Sequence, residues 1–254
     1  CYGESAASSS LAARAKRIIH SAEPDVVTTT SPFIARMLKA EFPTLELRAS
    51  VNMRIGTVEA MEYLADVFDS FYLQRDYNRD CGRIEELKSW CDVHGKKLLM
   101  LANSGCLRFC STQTFHDNLV AHEAQIDQSL SVPCEVLACR DYLRRPDYWP
   151  AVFQATWVRP EDMANYEPYF PLVKLATRMH INPGLVIRAY VHRRYPGNLL
   201  DLLEPGHAFA LRNHVIDNTR FPADWFARTT QCDKRCHRCS YCAQVLRDTL
   251  TKIS

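Results

Sequence analysis

The sequence predicts an α/β protein built on a parallel sheet, either doubly wound or closed as a (β/α) barrel. Strand-like apolar runs begin near residues 25, 45, 70 and 97, and a helical pattern fills each gap. A spacing of about 20–27 residues between strands, with a helix in each interval, is the rhythm of βαβ units. Such crossovers are right-handed and give parallel pairing. The run Leu98-Leu99-Met100-Leu101-Ala102 then leads directly into Gly105, Cys106, Cys110, His116 and His122. A buried strand that delivers soft ligands and bases to its C-terminal end fits the end at which parallel α/β proteins build their sites.

In chain order, Ala6 to His20 is helical, with Leu11, Ala15, Ile18 and Ile19 on one face and serines ahead of it as caps. Asp25–Thr29 is a short strand. Ser31-Pro32 opens the next helix, with serine at the cap and proline at the first helical position. Ile34, Met37, Leu38 and Phe42 are its apolar face and Pro43 stops it. Leu45–Val51 is a strand, Thr57 to Phe68 a helix and Ser70–Leu73 a strand. Ile84 to Val93 is helical and Lys97–Ala102 is again a strand. Two weaker strands follow at Ala155–Val158 and Leu172–Leu175. Asn182 to Tyr195 is helical, with Pro183 in its first turn. Beyond Leu199 the pattern weakens into a loop-rich segment that ends in a short helix from Ala243 to Leu250. The expected division is therefore a (β/α) portion over 1–198 and a Cys-rich C-terminal extension over 199–254. Six strands are two short of a closed barrel. The chain starts at Cys1 rather than at a methionine, so the first strands are expected to lie ahead of it.

The 254 residues, 47% of them hydrophobic, are enough for one sizeable core. A net charge of +2 gives no field that argues for a nucleic-acid or membrane surface. No apolar run reaches membrane-spanning length. Eleven cysteines are many for such a chain. Their short spacings, close to His and Arg, favour metal binding over a disulfide framework and point to a reducing cytoplasm.

Cys232, Cys236, Cys239 and Cys242 place four thiols within eleven residues. Soft sulfur suits zinc and iron–sulfur clusters. Structural zinc usually draws two well-separated cysteine pairs, whereas this compact run has ferredoxin-like spacing, so a cluster is preferred and zinc is the alternative. Cys106 and Cys110, on a Gly-bearing loop after a strand, form a second set with Cys139 and Cys134. The dull reading of Cys134 and Cys139 is core packing. Cys139 is favoured over Cys134 because Arg140 follows it. Cys81 and Cys91 lie on a helical stretch and are expected to be structural. His116, with Asp117 as a possible orienter, is a candidate base. Arg79, Arg159 and Arg178 each follow a strand and together suggest a rim that binds a carboxylate or phosphate. No Walker loop, dinucleotide fingerprint, nucleophile elbow or zinc-protease motif occurs.

Asn103-Ser104-Gly105-Cys106-Leu107-Arg108-Phe109-Cys110, with Gln113 to His116 and His122, resembles the Asn-x-x-Cys-Leu-x-x-Cys…His…His segment of the U-32 (collagenase-like) peptidase family. Asn78-Arg79-Asp80, Trp157–Asp162, Pro196–Leu199 and the final cysteines agree with one branch of it. The resemblance implies a TIM barrel and a 4Fe-4S cluster held by four cysteines. It further implies either oxygen-independent hydroxylation of a small molecule or of RNA, or the peptidase activity of the family label, with a homologous subunit as a possible partner. The expected function is a redox enzyme in which the cluster passes electrons, Arg79, Arg159 and Arg178 hold the substrate and His116 moves protons. The rivals are a hydrolase using Cys106 or His116, and a non-catalytic scaffold stabilised by metal.

Overall fold

The computed structural model describes residues 9–122 and 138–253. The chain forms two compact units. One takes in the residues up to Tyr77, Gly82–Leu101 and Pro168–Val173; the other takes in Asn78–Cys81, Ala102–Glu167 and the chain from Lys174 onward.

The first unit is organised by a parallel sheet. Its strands are β1 (Val26–Thr29), β2 (Glu46–Ala49), β3 (Ser70–Tyr72), β4 (Lys97–Leu101) and β5 (Val173–Lys174), adjacent in that order. Val26 pairs with Glu46, Arg48 with Ser70 and Ser70 with Lys97, all parallel. A doubly wound sheet reverses its strand order at a switch point, whereas strands laid down in chain order are the topology of a (β/α) barrel. The structure thus selects the partial-barrel alternative. After the exposed Lys97, β4 is apolar, and Leu98–Leu101 are buried on both faces, as a covered parallel strand requires.

Helix α1 (Ser10–Ala22) precedes β1, and α2 (Pro32–Glu41), α3 (Val58–Glu62) and α4 (Cys81–Val93) fill the three intervals from β1 to β4. The predicted cap is present: Ser31 Oγ accepts from Ile34 N at 3.2 Å, with Pro32 in the first turn. α3 stops well short of Phe68, and turns complete the segment. Leu47, Met61, Phe68, Phe71, Ile84 and Leu87 make the core, with Phe71 edge-on between Phe68 and Trp90. Cys91 is structural, as expected: it is fully buried, 4.0 Å from Met61 Sδ, and burial pushes its thiol up to about 12.

The second unit holds α5 (Gln113–His122), α6 (Ala138–Leu143), α7 (Pro150–Gln154), α8 (Pro183–Val191), α9 (Trp225–Thr230) and α10 (Tyr241–Thr249). β6 (His214–Ile216) pairs antiparallel with β7 (Leu250–Lys252). Asn182 caps α8 through Oδ1 on Leu185 N. Two expectations are corrected here. Ala155–Val158 is extended and buried but forms no strand. Its polar groups are satisfied otherwise, since Trp157 Nε1 donates to Val152 O and Trp157 O accepts from a side chain. The segment after Leu199 is also more than a loop-rich extension. Leu199, Leu200, Ile216, Trp225, Val245 and Leu246 form one core cluster with Phe153 and Trp157. Leu199 and Leu200 come from a 3-10 turn, Ile216 from β6, Trp225 from α9, and Val245 and Leu246 from α10, all short elements whose period the sequence shows weakly.

Candidate metal centre

The loop after β4 is fixed by Asn103. Its side chain is fully buried; Nδ2 donates to Ala176 O (2.6 Å) and Leu202 O (2.9 Å), and Oδ1 accepts from Ala176 N (2.7 Å). The following residues are pinned along 204–205. Glu204 N donates to Asn103 O and Gly105 N to Glu204 O, both at 3.0 Å. A Cβ on Gly105 would stand 2.1 Å from Pro205 O, so this close backbone approach needs glycine.

Beyond that anchor lie Cys106 and Cys110, both half-buried. Cys139, on α6, is half-buried too. Its thiol is pushed up by burial first and then by the neighbouring Cys110 and Cys106, so the loop thiols and the α6 thiol share one neighbourhood. Cys106 and Cys110 thus stand within electrostatic reach of Cys139. Cys134 lies outside the described residues, as does the side chain of His122.

The other four thiols also converge. Cys232, Cys236, Cys239 and Cys242 line a single cavity of about 350 Å³, together with Arg228 and Lys234. Burial pushes Cys242 up to about 11; Arg79 opposes this, and the other three thiols add to it. Cys236 is pushed up by burial, drawn down by Arg108, and pushed up again by Cys232 and Cys239. Arg108 belongs to the Cys106–Cys110 loop, so it stands electrostatically between the two thiol sets. Its guanidinium lies 4.7 Å from the Phe109 ring centre, and its Nε is buried without a hydrogen-bond partner among the described residues.

Among the described residues no two cysteines are joined in a disulfide. Among the described residues, no three His, Cys, Asp or Glu side chains already stand in a metal-holding arrangement. The donor set nonetheless fits a thiophilic metal. Thiols crowded in a partly dry site resist ionisation one by one, and a cation that replaces their protons relieves the desolvation and the mutual repulsion together. The flanking Arg79, Arg108, Arg228 and Lys234 suit a thiolate-bound centre with residual negative charge.

The arginine rim is corrected. Arg79 is buried and its guanidinium is spent inside the protein: Nε and Nη2 donate to Trp157 O, and Nη1 to Phe153 O. Arg159 is likewise held, by Asn218 and Glu161, with Phe221 4.6 Å beneath it. Both arginines thus satisfy backbone and side-chain acceptors within the fold, and of the three only Arg178 is exposed. His116 is half-buried on α5, and it and Asp117 do not hydrogen-bond each other. The sequence reading assigned no role to Arg108 and did not foresee the stacked Trp157–Trp225 pair against which Arg79 lies; both depend on contacts distant in the chain.

No family model matches the chain, and no solved structure matches it. It is 26% identical over 239 residues to an uncharacterized protease of Methanocaldococcus jannaschii, an alignment that covers 89% of this chain. The chain spans 66% of the length of that relative. This similarity over most of the chain supports the resemblance to the U-32 peptidase family.

Proposed function

We propose that the chain is an iron–sulfur redox protein of hydroxylase type. The observation that carries this reading is the convergence of Cys232, Cys236, Cys239 and Cys242 on one cavity of about 350 Å³. Four thiolates suffice for a 4Fe-4S cluster or, alternatively, for tetrahedral zinc. Cys106, Cys110 and Cys139 supply a second, neighbouring set. When bound, a cluster supplies one-electron transfer.

The chain's own residues do the rest. Arg79 and Arg108 offset the charge of the thiolates on two sides. His116 moves protons, and the exposed Arg178 binds an anionic group of the substrate, a small molecule or an RNA. The free thiols suit a reducing cytoplasm. A homologous subunit completes the working enzyme. No helix of the described residues is long and apolar enough to cross a membrane.

The name of the relative favours a hydrolase as second reading, with Cys106 or His116 as the reacting group. A cysteine nucleophile needs a lowered thiol.

Anaerobic purification followed by iron, sulfide and zinc analysis tests the proposal. The expected result is a brown protein that contains iron and acid-labile sulfide and loses the tail centre in Cys239→Ser/Cys242→Ser. Colourless protein with zinc alone, or peptide hydrolysis abolished by Cys106→Ala in metal-free protein, would overturn it. Point substitutions are preferable to truncation at Thr230, because α10 contributes Val245 and Leu246 to the core.

A further inference from the structure

Buried polar atoms without a partner gather around the Cys106 loop. Ser104 Oγ, Arg108 Nε and His207 Nδ1 are all buried and lack a hydrogen-bond partner among the described residues. His207 is the most constrained of the three. It is 2% exposed, and its backbone is left-handed, with φ at +53°. Its Nε2 lies 2.7 Å from Gly105 O. A carbonyl can only accept, so Nε2 carries the proton. Burial pushes the imidazole pKa down, which keeps the ring neutral. Nδ1 is then a bare lone pair in the protein interior, and an unpaired buried acceptor costs about 1–3 kcal/mol.

This is the arrangement of a histidine prepared for a metal. Ligating imidazoles commonly donate their second ring N–H to a backbone carbonyl, which fixes the tautomer and directs the other nitrogen to the ion. The carbonyl here is that of Gly105, one peptide bond from Cys106. His207 is tied to the other side of the thiol set as well. Its ring lies 5.8 Å from Phe209, and Phe209 lies 5.3 Å from the guanidinium of Arg140, the residue after Cys139.

We propose that His207 is the nitrogen ligand of the Cys106–Cys110–Cys139 centre and binds its metal through Nδ1. The assignment rests on the reading of those three thiols as ligands. It makes the loop centre a three-thiolate, one-imidazole site, chemically distinct from the all-thiolate set in the tail. On loading, each half-buried thiol turns onto the metal and gives up its proton, whereas His207 releases none. Ser104 Oγ and Arg108 Nε are then donors to the metal-bound sulfurs, a use consistent with their having no other partner.

The test uses the full chain in the Cys239→Ser/Cys242→Ser background, so that only the loop centre fills, with Co(II) as the probe. Anaerobic titration is expected to give thiolate-to-cobalt charge-transfer bands, and His207→Gln to weaken binding at least tenfold. Pulsed electron paramagnetic resonance of the Co(II) protein, with ¹⁴N-histidine exchanged for ¹⁵N, should show a directly bound nitrogen that disappears in His207→Gln. The spectrum of the unsubstituted His207 protein reads the ligand even where the variant folds poorly. Absence of nitrogen coupling there, or its persistence in His207→Gln, would overturn the assignment. Cys106→Ala separates the two levels. If it abolishes cobalt binding while His207→Gln has no effect, only the histidine ligand falls. If it too leaves binding intact, the loop centre itself is refuted.

Discussion

The guanidinium of Arg79 lies 4.4 Å from the centre of the Trp157 ring, and Trp157's own carbonyl accepts from Nε at 3.1 Å and from Nη2 at 2.6 Å. One tryptophan thus takes up the arginine through its π-face and its backbone at once. Trp225, stacked on Trp157 at 5.7 Å, also lies 4.9 Å from the guanidinium, and Phe153 O takes Nη1 at 2.9 Å. Phe153 O also accepts from Cys242 Sγ, at 3.9 Å, which links the arginine to the tail thiols. Replacing Arg79 by methionine leaves two buried carbonyls without these donors and loosens an aromatic cluster. Arg79→Met is expected to destabilise the protein by about 3 kcal/mol or more, read from the shift of the denaturant midpoint. A loss below ~1 kcal/mol would show that water replaces the guanidinium at little cost.

Glu46 ties three adjacent strands together. Its Oε1 accepts from Arg48 Nε (2.7 Å) and Ser70 Oγ (2.9 Å), and its Oε2 accepts from Lys97 Nζ (2.7 Å). Burial alone would raise its pKa, but the hydrogen bonds from Arg48, Lys97 and Ser70 outweigh burial and hold the carboxyl at about 2. The folded value lies below the unfolded one. The contribution is therefore complete above about pH 4.5 and is lost as pH falls toward 2. Screening at the half-exposed Lys97 limits it to about 1–2 kcal/mol. Glu46→Gln should thus be less stable than the parent at pH 7, with the gap closing between pH 5 and pH 2. A gap that stays constant over that range would sink the idea.

Gly105→Ala would drive a methyl group into Pro205 O, a backbone atom that cannot swing away. The expected cost is on the order of 2–3 kcal/mol, as for overpacking elsewhere. Bound metal should fall in parallel, because the displaced loop carries Cys106 and Cys110. Unchanged thermal stability together with full metal content would contradict this.

Asn103→Leu keeps roughly the same volume but removes three buried hydrogen bonds and leaves Ala176 and Leu202 short of their partners. A loss of about 2–4 kcal/mol is expected. Asn103→Asp retains the acceptor for Ala176 N but points a second oxygen at two carbonyl oxygens, so it should be at least as harmful at pH 7. Urea denaturation of both variants decides the order, and a clearly milder Asp variant would count against the hydrogen-bond assignment.

The sequence alone determined the βαβ rhythm, the parallel sheet and the helix starts at Ser31-Pro32 and Asn182-Pro183. These are local matters: apolar period, cap chemistry and proline position act over a few residues. It also grouped the four tail thiols, which lie close together in the chain and line one cavity. Only the tertiary structure chose the strand order of a barrel over a doubly wound sheet, since local pattern is the same in both. Tertiary structure also decided against a strand at Ala155–Val158. The run is apolar enough, but Arg79, 78 residues from Trp157, takes the carbonyl that a neighbouring strand would have used. The same long-range accounting turned Arg79 and Arg159 inward, although they read as a substrate rim. It also placed His207 against Gly105, 102 residues away. Where a buried polar group finds its partner is set by packing between distant segments, and spacing along the chain carries no record of it.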